Sequence, residues 1–165
     1  MQGLELLTDL YELTMMQVYF KTNIIKRYAI FDMFFRKNPF GSGYVVFAGL
    51  QQLIDYLQNL SFSNDSIDYL YSLNIFSDDF LDYCKAFSFT GNIYSFQEGD
   101  IVFPEEPIVR VEAELGQAQL IETALLNCIN FQSLIATKSA RICYAAKGRD
   151  VIEFGLRRAQ GPNGG

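Results

Sequence analysis

Between Leu6 and Phe20 apolar side chains recur at Leu6, Leu10, Leu13, Met16 and Tyr19 or Phe20, three or four residues apart. That spacing lines one face of a helix, so an amphipathic helix is expected over Leu6–Phe20, with Thr8 or Asp9 available as its N-cap. The pattern changes at Tyr28–Phe35, YAIFDMFF, a short aromatic run closed by the turn cluster RKNPFGSG; it predicts a strand and then a loop. From Leu50 to Thr90 there is no Gly or Pro, and Ser63-Asn64-Asp65 and Ser77-Asp78-Asp79 interrupt the apolar runs as N-caps do. Three successive helices are expected there.

Gly91–Leu115 changes character again. NIYSF, the turn signal Gln97-Glu98-Gly99-Asp100, IVFP and IVRVEAEL follow one another, and Val109, Val111 and Ala113 alternate with Arg110, Glu112 and Glu114. Alternation with period two fits a half-buried antiparallel hairpin or meander, with Pro104 and Pro107 at edges or turns. Gly116 then opens a long apolar helix from Gln117 to about Ala136, or on to Lys147. Along it Gln119, Thr123, Asn127 and Asn130 form an uncharged polar stripe that suits either solvent or a polar-lined partner surface. Asp150–Leu156 reads as a buried strand, with Arg157-Arg158 at its C-terminal end before the Gly-rich loop that reaches Gly165. In parallel α/β architectures ligands sit at that end of a strand. A lone strand after a long helix needs partners on both edges, so the chain is expected to be the front part of a larger protein.

Composition narrows the chemistry. With 165 residues, half of them hydrophobic, the chain is expected to fold around a core. It has no His, which removes the commonest general base and excludes a Ser-His-Asp or Cys-His arrangement within it. Cys84, Cys128 and Cys143 are widely spaced and odd in number; neither a disulfide framework nor a zinc site is encoded, and a reducing cytoplasm is the expected compartment. No basic stretch precedes an apolar run at the N-terminus, and no segment reaches the length of a membrane span. Met1–Thr137 carries 17 acids against 7 bases, whereas Lys138–Gly165 carries 2 against 6, together the 19 acids and 13 bases of the chain. Nucleic acid needs a broad basic face, so a small multiply charged anion suits the basic end better, a solvated tail being the alternative. Gly41-Ser42-Gly43 begins like a dinucleotide fingerprint, but Val46 stands at the third glycine position and no P-loop Lys follows. Asp78, Asp79 and Asp82 form a helix-start cluster favoured by the dipole, and no metal site is expected.

Four blocks in order, LLTDLYELTMMQVYF, FDMFFRKNPFGSGYVVFAGLQQLIDYL, FQEGDIVFPEEPIVRVEA and EFGLRRAQGPNGG, closely resemble the N-terminal portion of nicotinate phosphoribosyltransferase, from about Leu6 to the last residue. The resemblance implies an enzyme of NAD salvage that joins nicotinic acid to 5-phosphoribosyl 1-diphosphate, giving nicotinate mononucleotide and diphosphate with ATP hydrolysis. ATP and Mg2+ are the implied cofactors, and a transiently phosphorylated His is expected beyond Gly165. It further implies an α+β N-terminal domain over residues 1–115, with helices and an antiparallel hairpin or meander. Residues 116–165 would then supply a connecting helix and the first strand and loop of an α/β barrel of the type II phosphoribosyltransferase kind. The implied assembly is a homodimer with shared active sites, and this segment alone is expected to be inactive.

No catalytic residue is expected in the segment itself, because the pyridine nitrogen already carries the lone pair that attacks. What remains is to position a flat anion and to stabilise a departing diphosphate. By resemblance Arg157 serves the diphosphate or ribose phosphate, as a planar guanidinium with paired donors can. Arg158 is a second candidate, or else an ion-pair partner inside the barrel, since consecutive strand residues face opposite ways. Phe154 matches the Phe that stacks on the ring in the related nicotinamide enzyme; its other reading is core. Tyr11 is implied as a contact to nicotinate reaching in from the neighbouring subunit, the alternative being a half-buried helical Tyr. The same chemistry on nicotinamide and a non-catalytic oligomerisation module are the rival readings; the FRKNPFGSGY and GLRRAQGP blocks favour the acid.

Overall fold

The computed structural model describes residues 4–160. Helix α1 (Leu10–Lys21) leads to strand β1 (Tyr28–Met33), a 3-10 turn at Pro39–Gly41 and a two-residue strand β2 (Val45–Val46). Helices α2 (Leu50–Asn59), α3 (Asn64–Ser72) and α4 (Asp78–Lys85) follow, as the Gly- and Pro-free stretch predicts. Ser63 caps α3 by accepting from the Ser66 amide at 3.2 Å. Ser77, at the N-cap of α4, makes no side-chain cap; its amide donates instead to Gln17 Oε1 of α1 at 2.7 Å.

Strands β3 (Asn92–Ser95), β4 (Ile101–Val102) and β5 (Val109–Glu114) are antiparallel in their pairings but do not form a meander. β5 is the centre of a sheet ordered β1-β5-β3, whereas β4 leaves to pair with β2. The alternation read from β5 holds: Val109, Val111 and Ala113 are buried against Met33, Phe31 and Ala29 of β1. Its Arg110 faces out and forks onto Asp32 at 2.7 and 3.0 Å. Two edges to satisfy explain why β5 draws in the distant β1.

The long helix is two. α5 (Leu115–Leu120) and α6 (Glu122–Ala146) are separated at Ile121, where φ is −84° and ψ −5°. Gly116 lies inside α5 rather than before it, and a Cβ there would stand 2.5 Å from Ile25 Cγ1, so the close approach of Ile25 leaves room for no side chain. α6 covers β2 through hydroxyls: Thr137 Oγ1 accepts from the Val46 amide at 2.9 Å, and Ser133 Oγ accepts from the amide and donates to the carbonyl of Ala48, both at 3.0 Å. One hydrophobic cluster runs from Leu13 on α1 to Ile129 on α6 and includes Phe47, Leu53, Phe80 and Val109.

Two expectations are corrected. α1 begins at Leu10, not Leu6, and its buried face is Glu12, Leu13, Met16 and Gln17, while Leu10 is 54% exposed. Asp150–Leu156 is not a buried strand: Val151, Ile152, Phe154 and Leu156 are exposed and no strand pairs with them among the described residues. An extended segment without a neighbour has nowhere to place its backbone hydrogen bonds or its apolar faces. Of the Gly-rich loop after Arg158, residues 161–165 lie outside the described residues.

The segment before α1 is anchored by Glu5, buried and accepting from the Ser63 amide at 3.2 Å and Ser66 Oγ at 2.7 Å. Burial opposes its charge, but these bonds outweigh it and bring the carboxyl from 4.5 down to about 2. A folded value below the unfolded one stabilises above the unfolded value and is lost as pH falls through the folded one. Glu5→Gln should therefore lower stability by about 1.5–3 kcal/mol at neutral pH. In urea melts at successive pH values the deficit should shrink between pH 4.5 and 2; a deficit constant over that window rules out the carboxylate anchor.

Candidate functional site

Tyr11 stands in the first turn of α1, 47% exposed, on an open groove of about 510 Å³. Asp9 and Tyr11 form one side of the groove, and Glu122, Thr123, Asn127 and Asn130 of α6 line the other. The polar stripe of the long helix thus divides. Thr123, Asn127 and Asn130 face this groove, while Gln119 is buried, accepting from the Tyr19 hydroxyl at 3.4 Å and donating to Glu122 at 3.1 Å. Asp9 occupies the N-cap position without a side-chain cap, and its amide donates to Thr123 Oγ1 at 3.3 Å.

Beneath Tyr11 lies Glu12, completely buried. Its carboxylate accepts from the hydroxyl of Thr8, from Thr123 Oγ1 at 2.9 Å and from the Tyr11 hydroxyl at 3.4 Å. Burial pushes the Glu12 carboxyl upward, against the lowering effect of the Thr8 and Thr123 bonds, with Glu122 adding to the rise. The Tyr11 phenol is raised as well, by desolvation first and then by Glu122, Glu12 and Asp9, so it stays protonated at neutral pH. Sequence patterning missed Glu12 because only apolar positions were followed along the helix. The available signal was its place beside Leu13 and four residues before Met16, which puts it on the buried stripe.

The other site residues lie elsewhere. Phe154 is 75% exposed, and Arg157 and Arg158 occupy a 3-10 turn, Leu156–Arg158, not the end of a strand. Arg157 Nη1 donates to the Phe154 carbonyl at 3.3 Å. None of the three lines the groove of Tyr11, so the chain does not bring its four predicted ligand residues together. A second open concavity, about 490 Å³, lies on the outer face of the sheet between Tyr94, Phe96, Pro107, Ile108 and Arg110.

Among the described residues no three His, Cys, Asp or Glu side chains are grouped to hold a metal ion. The three cysteines are free; Cys84 and Cys128 are buried, and burial pushes the Cys84 thiol up to about 12. Asp78, Asp79 and Asp82 are exposed, Asp82 pairing with Lys85 at 2.8 Å. No described helix is long and apolar enough to cross a membrane.

Comparison with known proteins places this geometry. A family profile described as the nicotinate phosphoribosyltransferase (NAPRTase) N-terminal domain matches residues 6–130. Nicotinate phosphoribosyltransferase of Bacillus subtilis is 50% identical over 157 residues, which are 95% of this chain and 32% of that protein. Nicotinate phosphoribosyltransferase 2 of Arabidopsis thaliana is 43% identical over 162 residues, 96% of this chain and 29% of that protein. The crystal structure of human nicotinic acid phosphoribosyltransferase superposes with a TM-score of 0.87 at 34% identity, covering 96% of this chain and 33% of the human one. Nicotinate-nucleotide pyrophosphorylase from Pyrococcus furiosus gives a TM-score of 0.71 at 25% identity, over 93% of this chain and 32% of that one. The chain therefore spans about a third of the length of the relatives it matches.

Proposed function

Because this chain belongs to the nicotinate phosphoribosyltransferase N-terminal domain family, we propose that it serves the transfer of a phosphoribosyl group from 5-phosphoribosyl 1-diphosphate to nicotinic acid in NAD salvage. The pyridine nitrogen donates its lone pair to the anomeric carbon of the ribose to form the new carbon–nitrogen bond as the carbon–oxygen bond to diphosphate breaks, and diphosphate leaves with the electron pair of the broken bond. No proton has to be removed first, which suits a segment without His.

The observation that carries the assignment of residues is the placement of Tyr11. A protonated phenol, half exposed on the wall of an open groove, fits a ring contact better than a core role. In this reading Tyr11 faces one side of nicotinate and Phe154 the other, a stack worth about 0.5–1.5 kcal/mol beyond area burial. Arg157, with Arg158 as a lesser contributor, receives the diphosphate through charge-assisted bonds. Tyr11 and Arg157 do not share a groove within one chain, which accords with a homodimer whose sites draw Tyr11 from one subunit and the Phe154–Arg158 turn from the other. The exposed apolar side chains of Val151, Ile152 and Leu156 suit packing into the first strand of an α/β barrel of the kind the family builds. ATP and Mg2+ are the cofactors that go with this reading, with sites that lie mostly outside this segment. A cytoplasmic location fits the free thiols.

The activity is tested in the full-length polypeptide that carries this chain, by following nicotinate mononucleotide formation with nicotinate and nicotinamide in competition. Nicotinate should be taken with the higher kcat/KM. Preference for nicotinamide transfers the assignment to the amide, and formation of neither mononucleotide removes the transferase reading.

A further inference from the structure

We propose that Glu12 is a positioning residue for the nicotinate contact, holding the Tyr11 phenol in place on the groove wall; this rests on the Tyr11 reading above. A tyrosine half exposed on a helix has two free side-chain torsions, and ordering it costs conformational entropy at the moment a ligand binds. A tether that fixes the ring beforehand removes that cost. Glu12 is the group within reach: Tyr11 donates its hydroxyl hydrogen to Glu12 Oε1 at 3.4 Å.

The carboxylate is itself held. Thr123 on α6 donates to the same Oε1 at 2.9 Å, and Thr8, one turn before, donates to Oε2. Thr123 also accepts the amide of Asp9, so a single hydroxyl ties the start of α1 to α6 on both sides of Tyr11. The two walls of the groove and the ring standing on one of them are fixed by one network.

Packing alone does not call for an acid at this position. Among the described residues Glu12 forms no ion pair, and a buried carboxylate without a cation is costly, whereas an apolar side chain of similar volume is often neutral or stabilising. What a carboxylate offers that Leu or Met does not is acceptor capacity for three hydroxyl groups at once. Two of those hydroxyls join structural elements, and the third belongs to the residue that faces the ligand.

The test is a double-mutant cycle in the full-length protein, with Tyr11→Phe, Glu12→Met, which removes the acceptor at similar volume, and the pair, reading kcat and KM for nicotinate and for the phosphoribosyl donor separately. Each single change should raise the nicotinate KM about threefold to tenfold, as the loss of one hydrogen bond does, with the donor KM unmoved. The pair should be no worse than the worse single, because both act through one bond. Multiplying effects would show that Glu12 acts other than through Tyr11 and would overturn the proposal, as would a Tyr11→Phe enzyme with an unaltered nicotinate KM. If Glu12→Met does not fold, Tyr11→Phe decides alone on the same criterion. Tyr11→Ala separates the two readings. A raised nicotinate KM in Tyr11→Ala with none in Tyr11→Phe sinks only the positioning role, whereas no change in either sinks the Tyr11 contact itself.

Discussion

Replacing Gly49 by Ala is expected to lower stability by about 2–5 kcal/mol. Gly49 sits at φ +107° and ψ 0°, in the left-handed half of backbone space that costs an L-residue about 1–2 kcal/mol even at its most favourable. A Cβ there would lie 2.5 Å from the carbonyl oxygen of Cys128 and 3.0 Å from its carbon. Both are backbone atoms of α6 and cannot swing aside as a side chain would. Overpacking of that kind adds about 1–3 kcal/mol. The position has a second duty: the Gly49 amide donates to both oxygens of Glu98 at 3.1 Å, and the Gln51 amide donates to one of them at 3.1 Å, so a carboxylate from a distant turn caps α2. Shifting Gly49 loosens that cap and the contact with α6 together. Gly43→Ala is the control, since that residue has an ordinary φ and open space within 4 Å; it should change stability by no more than about 0.5 kcal/mol. Urea denaturation of both variants at pH 7 checks the contrast, and equal midpoints would refute the steric account.

The same loop shows which parts of the fold were legible in the sequence. Gln97-Glu98-Gly99-Asp100 reads as a turn and is one, since the Asp100 amide donates to the Gln97 carbonyl at 3.1 Å. That Glu98 reaches back to cap a helix 49 positions earlier follows from tertiary placement, which local pattern does not carry. The three helices from Leu50 onward were legible because the run has no Gly or Pro and Ser63 and Ser77 mark the starts of the second and third. The partner of each strand was not: β5 announces itself by alternation, yet its choice of β1 and β3, and the departure of β4 to β2, depend on which edges remain open. α1 shows the opposite failure. Its helical period was read correctly, but Glu12 and Gln17 occupy the buried face and Leu10 the exposed one, because both polar groups find partners inside. An apolar count finds Leu13 and Met16 but misses satisfied polar side chains that share their buried face.

For the candidate site, sequence motifs supplied the residues and the structure supplied their separation. Tyr11 was legible as part of TDLYELT, and its exposure agrees with the reading that it need not belong to the core. Phe154, Arg157 and Arg158 were legible as a block, but the strand assigned to them was not formed, since pairing partners are absent among the described residues. Glu12 escaped notice because a carboxylate in a helix is read as solvated, whereas three hydroxyl donors drawn from two elements satisfy it in the interior.

Arg157→Ala, made in the full-length protein, should lower kcat/KM for the phosphoribosyl donor by at least tenfold, a loss of about 1.4 kcal/mol of transition-state stabilisation. A guanidinium bonded to a diphosphate gains strength as the leaving group accumulates charge, so the loss should fall on the donor and on kcat, not on the nicotinate KM. Among the described residues Arg157 donates to the Phe154 carbonyl, a neutral acceptor at 3.3 Å that a diphosphate readily outcompetes. Arg158→Ala should cost less, because neighbouring side chains in a 3-10 turn point about 120° apart and do not converge on one ligand. A shared site makes a further demand. Tyr11→Ala and Arg157→Ala are each impaired alone, yet mixed dimers contain one site built from the two intact contributions and should regain part of the activity. Donor kinetics unaltered in Arg157→Ala would remove the residue from the site; mixed dimers verified by mass that stay as weak as the parents would place both residues in sites of a single subunit.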